Sequence, residues 1–104
     1  MKVENVEVRD IAKNFGTPVY VYSLETLRLS IAEIKQLAPV TRYAMKANSN
    51  ARILKEMLNS GVKIDAVSVF EVQRALRAGF QTNDICFTSD VFFNDDDVKF
   101  CLEN

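Results

Sequence analysis

The sequence has 104 residues, of which 48% are hydrophobic and 26% are charged, a composition typical of a globular domain. Its 13 basic and 14 acidic side chains leave a formal charge of −1, so no basic field attracts a nucleic-acid backbone or an anionic membrane. No apolar run approaches the roughly 20 residues of a membrane helix, and the first residues lack the apolar core of a secretion signal. We therefore expect a cytoplasmic protein whose partners include neither nucleic acid nor membrane.

The first forty residues are predicted to form a short helix, a strand and a longer helix. Residues 8–15 place apolar side chains at helical spacing and precede Gly16, a residue suited to the position after a helix end. Residues 17–22 are β-branched and aromatic with a proline near their start, which predicts a strand. After Ser23, a potential helix cap, apolar residues recur at steps of three and four as far as Pro39, which predicts the second helix.

From residue 41 onward, a short apolar strand, a turn and an amphipathic helix alternate three times. The strands are predicted at residues 41–46, 64–68 and 85–88. Short strands separated by helices need crossover connections, which indicates a parallel sheet covered by helices. The helices that follow are predicted to begin at three capping residues, Asn50, Ser68 and Asn94.

The repeated unit predicts the fold class. A (β/α)8 barrel needs eight such units and about 250 residues, whereas this sequence supplies three and ends within a predicted helix. We therefore expect an α/β fold that forms the N-terminal part of a TIM-type barrel, about three βα units preceded by a helix and a strand.

Several kinds of catalytic site are excluded by residue type. The sequence contains no histidine and two cysteines, Cys86 and Cys101. A Ser/His pair, a Cys/His pair or a histidine-ligated metal cannot be completed from these residues. The two cysteines have neither the density nor the spacing of a disulfide framework, so we expect reduced thiols. We expect no metal site.

Lys46 is the main candidate for chemistry. Side chains alternate along a strand, so Lys46 is expected to share a face with Ala44 and Arg42, while Tyr43 and Met45 face the helices. A lysine at the end of a parallel strand lies at the carboxyl edge, where barrel and open α/β active sites form. A desolvated amine there is a nucleophile suited to condensation with a carbonyl group. The alternative, which the spacing alone favours, is a solvated lysine just past the strand end.

Asp65 is the second candidate. It lies within an apolar strand, where a carboxylate is costly unless it is paired. Lys46 and Arg42 are the expected cationic partners, and a surface acid at the end of the ladder is the alternative. The polar residues 48–50 lie near the same edge, either as ligands or simply as turn and cap residues.

Two further polar groups have simpler interpretations. Ser68 and Glu71 have the spacing of a capping box, in which each side chain satisfies a free amide, so Ser68 is interpreted as a cap rather than a catalytic hydroxyl. The acidic run at 95–97 lacks the alternation and the glycine of a calcium loop, and is interpreted as the charged first turn of a helix.

The residues around Lys46 resemble a known family. The segment YAMKAN at 43–48, with apolar residues at 53, 54 and 57 and then Gly61, is similar to the cofactor-attachment signature of the fold-type III pyridoxal-phosphate decarboxylases of diaminopimelate, ornithine and arginine. The form KANSN at 46–50 is most similar to the members that act on diaminopimelate.

Two other segments resemble the same family, so the similarity extends over roughly residues 8–88. FGTPVYVY at 15–22 is similar to the strand that leads into the family's barrel. DAVS at 65–68 with Glu71, followed by RALRAGF at 74–80, is similar to its second βα unit.

The resemblance implies an alanine-racemase-like barrel in which pyridoxal 5'-phosphate is attached to Lys46, the catalytic residue, with Ala44 and Asp65 beside the cofactor. It also implies that residues 1–23 join a C-terminal β domain and that residues 24–104 are the first part of the cofactor-binding barrel. The implied reaction is the decarboxylation of meso-diaminopimelate to L-lysine in lysine biosynthesis, by a homodimer when full length. The remaining cofactor contacts would lie beyond residue 104, so we expect the 104-residue piece alone to be inactive.

Other assignments stay open on the sequence. Residues 69–70 are Val-Phe where relatives are glycine-rich, and residues 89–93 replace a Gly-Lys pair common among diaminopimelate enzymes. The resemblance therefore also allows a decarboxylase of ornithine, arginine or carboxynorspermidine, or an amino-acid racemase. A non-catalytic interaction module that keeps the partial barrel as a scaffold is the third alternative.

Overall fold

The computed structural model describes residues 1–89 and 94–103; residues 90–93, within the segment that differs from the family pattern, lie outside it. The chain forms short strands, α-helices and two 3-10 turns. In chain order these are β1 (Lys2–Val3), β2 (Val6–Glu7), α1 (Val8–Phe15), α2 (Leu24–Lys35), β3 (Arg42–Ala44), the turn Met45–Ala47, α3 (Ala51–Asn59), β4 (Lys63–Ala66), α4 (Val69–Ala78), the turn Thr82–Asp84, β5 (Ile85–Phe87) and α5 (Asp95–Glu103).

The strands β3, β4 and β5 form a parallel sheet in chain order, with β4 in the centre. The helices α3 and α4 are the crossover connections between consecutive strands. This arrangement confirms the predicted alternation of strand and helix and the parallel sheet. In register across the sheet lie Ala44, Asp65 and Cys86, and one position earlier Tyr43, Ile64 and Ile85.

The hydrophobic core lies between one face of this sheet and the helices. Met45, Leu54 and Ile64 are its largest fully buried side chains. On the opposite face Ala44 is exposed, and Asp65 and Cys86 are partly buried. The burial pattern confirms the predicted alternation along β3. The other core residues are Ile31, Ile53, Met57, Val62, Ala66, Val72, Ala75 and Phe80.

The predicted helix caps are present. Ser23 Oγ accepts a hydrogen bond from Thr26 N at 3.0 Å, at the start of α2. At the start of α4, Ser68 Oγ accepts from Glu71 N at 3.3 Å, and the Glu71 carboxylate accepts from Val67 N at 2.8 Å. The equivalent bonds for α3 and α5 run to Asn50 Oδ1 from Arg52 N and to Asn94 Oδ1 from Asp97 N.

Two predictions in the N-terminal part are wrong. Residues 17–22 do not form a strand, because no strand lies beside them among the described residues and an isolated extended segment has no hydrogen-bonded ladder. Their aromatic side chains are left in solvent, Tyr20 with 90% of its surface exposed. The second helix ends at Lys35 rather than near Pro39. Its last turn tightens, with Gln36 N donating to Glu33 O at 3.2 Å.

An N-terminal hairpin was not expected from the sequence. β1 and β2 pair antiparallel across Glu4, which adopts a left-handed φ of 52°. The Glu4 carboxylate accepts hydrogen bonds from Ser23 Oγ at 2.9 Å and from Glu25 N at 3.0 Å. These bonds hold the pKa of Glu4 below its usual value. The hairpin is thereby tied to the positive end of α2.

An ion pair between a buried carboxylate and a largely exposed guanidinium connects α2 to α3. Glu56 is only 5% exposed, and its two carboxylate oxygens accept from Arg28 Nε at 2.8 Å and Arg28 Nη2 at 3.0 Å. Arg52 Nε lies 3.7 Å from the same carboxylate. The hydrogen bonds from Arg28, aided by the charges of Arg28 and Arg52, lower the pKa of Glu56. Helical periodicity identifies neither partner, because the pair joins residues 28 positions apart.

We expect Glu56→Gln to lower the free energy of unfolding at neutral pH. The variant should also lose less of that free energy than wild type as the pH is lowered. The folded-state pKa of Glu56 is depressed, so its contribution is fully present above the unfolded-state pKa of about 4.3 and is lost as the pH falls through the folded-state pKa. The difference in urea midpoint between wild type and variant should therefore shrink toward zero in acid. Glu33→Gln, on the exposed side of α2, is the control and should leave the profile unchanged. A difference that is constant across the acid range would contradict this assignment.

Within the described residues, no helix is both long and apolar enough to cross a membrane.

Candidate active site

Lys46 lies in the 3-10 turn Met45–Ala47, directly after β3. The predicted strand over residues 41–46 is therefore too long, because the backbone turns immediately after Ala44. Met45, which is 0% exposed, fixes the first residue of this turn in the core. Lys46 lies at the carboxyl edge of the sheet, as predicted, but it is exposed, so the expected desolvation of its amine is not found among the described residues.

Two hydrogen bonds close the loop that follows Lys46. Tyr43 Oη donates to Asn48 O at 3.0 Å, and Asn50 N donates to Asn48 Oδ1 at 3.0 Å. Burial raises the pKa of the Tyr43 hydroxyl above its usual value, which keeps this donor protonated. Asn48 and Asn50 thus act as turn and cap residues, whereas Ser49 Oγ accepts a hydrogen bond from Arg74 Nη1 at 3.2 Å.

Asp65 lies on the open face of the sheet, in register with Ala44. Its carboxylate oxygen Oδ1 accepts a hydrogen bond from Thr88 Oγ1, the residue after β5. The predicted pairing with Lys46 or Arg42 is wrong, since no ion pair to Asp65 is found in the described part of the chain.

The position of Arg42 explains why it does not reach Asp65. Arg42 lies at the start of β3, and its Nη1 donates to Ile64 O and Asp84 O, each at 3.3 Å. Asp84 also accepts from Lys63 Nζ at 3.0 Å. Arg42 and Lys63 therefore lie toward the amino-terminal edge of the strands, away from the carboxyl edge that carries Lys46.

The open face therefore carries a small side chain beside a carboxylate, and a lysine follows in the turn after β3. Ala44 adds only a methyl group beside Asp65, and Lys46 follows two residues later at the strand edge. Across residues 1–89 and 94–103, Lys46 Nζ has neither a hydrogen bond nor an ion pair. The neutral amine of a lysine condenses with an aldehyde, which is the reaction that attaches pyridoxal phosphate to a lysine. The residues present fit the aldehyde end of that cofactor.

Thr88 is a residue of the open face to which no sequence motif assigns a role. The signal was its position: Thr88 follows Cys86 by two residues, so strand alternation places it on the face that carries Asp65. Two other predictions are confirmed. Ser68 serves as a helix cap, and residues 95–97 form the first turn of α5.

The structure thus places an exposed lysine directly after the first of three parallel strands and an aspartate in the second. Residues 24–98 match the family model described as pyridoxal-dependent decarboxylase, pyridoxal binding domain. The chain belongs to this family, and both Lys46 and Asp65 lie within the matched segment.

Relatives and solved structures agree with this assignment. The chain is 51% identical over 81 residues to a diaminopimelate decarboxylase of Escherichia coli, covering 74% of this chain and 19% of the relative. It is similar to a crystal structure of diaminopimelate decarboxylase with a TM-score of 0.78 and 42% identity, covering 90% of this chain and 23% of that one. For the Helicobacter pylori diaminopimelate decarboxylase complexed with L-lysine, the TM-score is 0.84, with 28% identity and coverage of 93% and 25%.

These similarities establish the fold as the N-terminal part of a TIM-type (β/α)8 barrel. The chain spans about a fifth of the length of the curated relatives it matches.

Proposed function

We propose that the protein carrying this sequence is a pyridoxal-phosphate-dependent decarboxylase that converts meso-diaminopimelate to L-lysine and carbon dioxide. The observation that carries the proposal is Lys46, an exposed amine at the carboxyl edge of the sheet within the segment that matches the pyridoxal binding domain. The 51% identity to the E. coli diaminopimelate decarboxylase supports the choice of substrate.

In this proposal, each residue of the open face has a separate role. Lys46 Nζ binds the cofactor covalently, Ala44 leaves space beside it, and Asp65 orients it through its carboxylate. Pyridoxal phosphate, when bound, accepts the electrons released as carbon dioxide departs. Met45 and the bond from Tyr43 to Asn48 hold the turn that presents the amine.

We further propose that the two parts of the chain belong to different domains of the complete protein. Residues 1–23 would join a β domain, which is supported by the exposed apolar side chains of residues 19–22, and residues 24–104 would form the first part of the cofactor-binding barrel. The proposed protein is a cytoplasmic homodimer that acts on a small amino-acid substrate, without nucleic acid or membrane as partner.

Borohydride reduction of the complete protein with pyridoxal phosphate tests the attachment site. We expect peptide mapping to find the reduced label on Lys46, because it follows β3 directly at the carboxyl edge of the parallel sheet, where barrel active sites form. Lys55 and Lys13 lie on helices and serve as internal controls that should stay unlabelled. A label on these lysines with Lys46 unmodified would overturn the assignment.

The substrate is tested by measuring release of carbon dioxide from meso-diaminopimelate, ornithine and arginine at equal concentrations. We expect diaminopimelate to be turned over with the highest kcat/KM. A higher value for ornithine or arginine would retain the enzyme class and contradict the substrate.

A further inference from the structure

We propose that Thr88 is a positioning residue that holds the Asp65 carboxylate in place at the carboxyl edge of the sheet. This inference rests on the proposed function, since it assigns to Thr88 the task of orienting the carboxylate beside the bound cofactor.

The backbone of Thr88 is fixed by the sheet. Thr88 N donates to Ala66 O at 2.9 Å, which continues the β4–β5 ladder one residue beyond β5. The side chain is β-branched, so few χ1 rotamers are accessible once the backbone is set. The hydroxyl is therefore held at a defined point above the open face.

Thr88 and Asp65 are brought together by the strand register. Asp65 is in register with Cys86, and Thr88 lies two residues further along the same strand direction and on the same face. Thr88 Oγ1 donates to Asp65 Oδ1. The second oxygen, Oδ2, has no partner among the described residues, so it is available to a ligand.

Among the described residues, Asp65 has no ion pair, so the Thr88 hydroxyl is the group that holds its carboxylate. Arg42 is engaged at the opposite edge of the sheet, and Lys46 forms no ion pair with Asp65 in the described ranges. An aspartate side chain has several accessible rotamers and a broad terminal torsion, and a hydrogen bond to its charged group is among the stronger ones in proteins. Within the described residues, the bond from Thr88 is what selects one orientation.

A double-mutant cycle in the complete protein tests the proposal. We expect Thr88→Val to weaken the binding of pyridoxal phosphate to the cofactor-free protein by about tenfold or more, the scale of one hydrogen bond to a charged group. Thr88→Ser keeps the hydroxyl and should remain within about threefold of wild type. In an Asp65→Ala background, Thr88→Val should change the affinity by less than about twofold, because the two residues act as a unit.

Two measurements separate positioning from a structural role. The ¹³C resonance of the Asp65 carboxyl, recorded without cofactor, should shift in Thr88→Val and return toward its wild-type position in Thr88→Ser. Urea midpoints of Thr88→Val and of the control Thr26→Val, on the exposed surface of α2, report any general loss of stability.

The outcomes distinguish this inference from the proposed function. If Thr88→Val binds the cofactor as wild type does, or weakens binding equally with and without Asp65, the positioning role is overturned while attachment to Lys46 stands. If the wild-type protein does not take up pyridoxal phosphate at Lys46, the proposed function fails and this role fails with it.

Discussion

We expect Lys46→Ala and Lys46→Arg to reduce decarboxylation by the complete protein to the background rate. The amine of Lys46 is the group that binds the cofactor covalently in the proposed mechanism, and neither replacement can form that bond. Arginine preserves the positive charge, so the comparison separates charge from nucleophilicity. Activity is measured as carbon dioxide release from meso-diaminopimelate, and cofactor uptake as pyridoxal-phosphate absorbance after gel filtration.

The same variants should be as stable as wild type. Lys46 is exposed, and no ion pair or hydrogen bond of its amine is found in residues 1–89 and 94–103, so its replacement removes no packing. Lys55→Arg, on the exposed side of α3, is the matched control and should retain full activity. Substantial decarboxylation by Lys46→Arg would contradict the covalent role of Lys46.

Met45→Ala should have the largest effect on stability in this part of the molecule. Met45 is 0% exposed and packs in the core beneath the turn that carries Lys46. Truncation of a buried methionine leaves a cavity and lowers the free energy of unfolding by about 2–5 kcal/mol. Because Met45 also fixes the turn, we expect the variant to bind pyridoxal phosphate less tightly. The free energy is measured by urea unfolding and the affinity by cofactor titration.

Met45→Leu is the matched comparison, because it nearly conserves volume and should cost less than about 1.5 kcal/mol. Leu37→Ala, at a position that is 85% exposed, controls for the loss of an apolar side chain without burial. Equal unfolding free energies for Met45→Ala and Met45→Leu would show that Met45 does not fix the turn by packing.

The predictions that succeeded depend on short-range patterns. Helical spacing, the caps at Ser23, Asn50 and Ser68, and a glycine at the end of a helix act within a few residues. Gly79, for example, adopts a left-handed φ of 103° at the end of α4, which a side chain would disfavour. The alternation of strand and helix then limits the sheet to a parallel one, because each strand must return in the same direction.

The predictions that failed concern partners distant in sequence. Residues 17–22 have the composition of a strand, but strand formation needs a neighbouring strand, and none lies beside them in the described part of the chain. The sequence also predicts a cation for Asp65, since pairing a charge is the general rule for a carboxylate in an apolar strand. The choice of Thr88 over Lys46 depends on register and on the turn after Ala44.

The sequence by itself determined the parallel βα order, the position of Lys46 at the carboxyl edge and the family to which the chain belongs. Each of these follows from periodicity or from a contiguous motif. The tertiary structure decided which side chains meet: Glu56 with Arg28 between α2 and α3, Glu4 with the start of α2, and Asp65 with Thr88 across two strands. The physical reason is that such contacts depend on relative placement of elements, which local patterns do not specify.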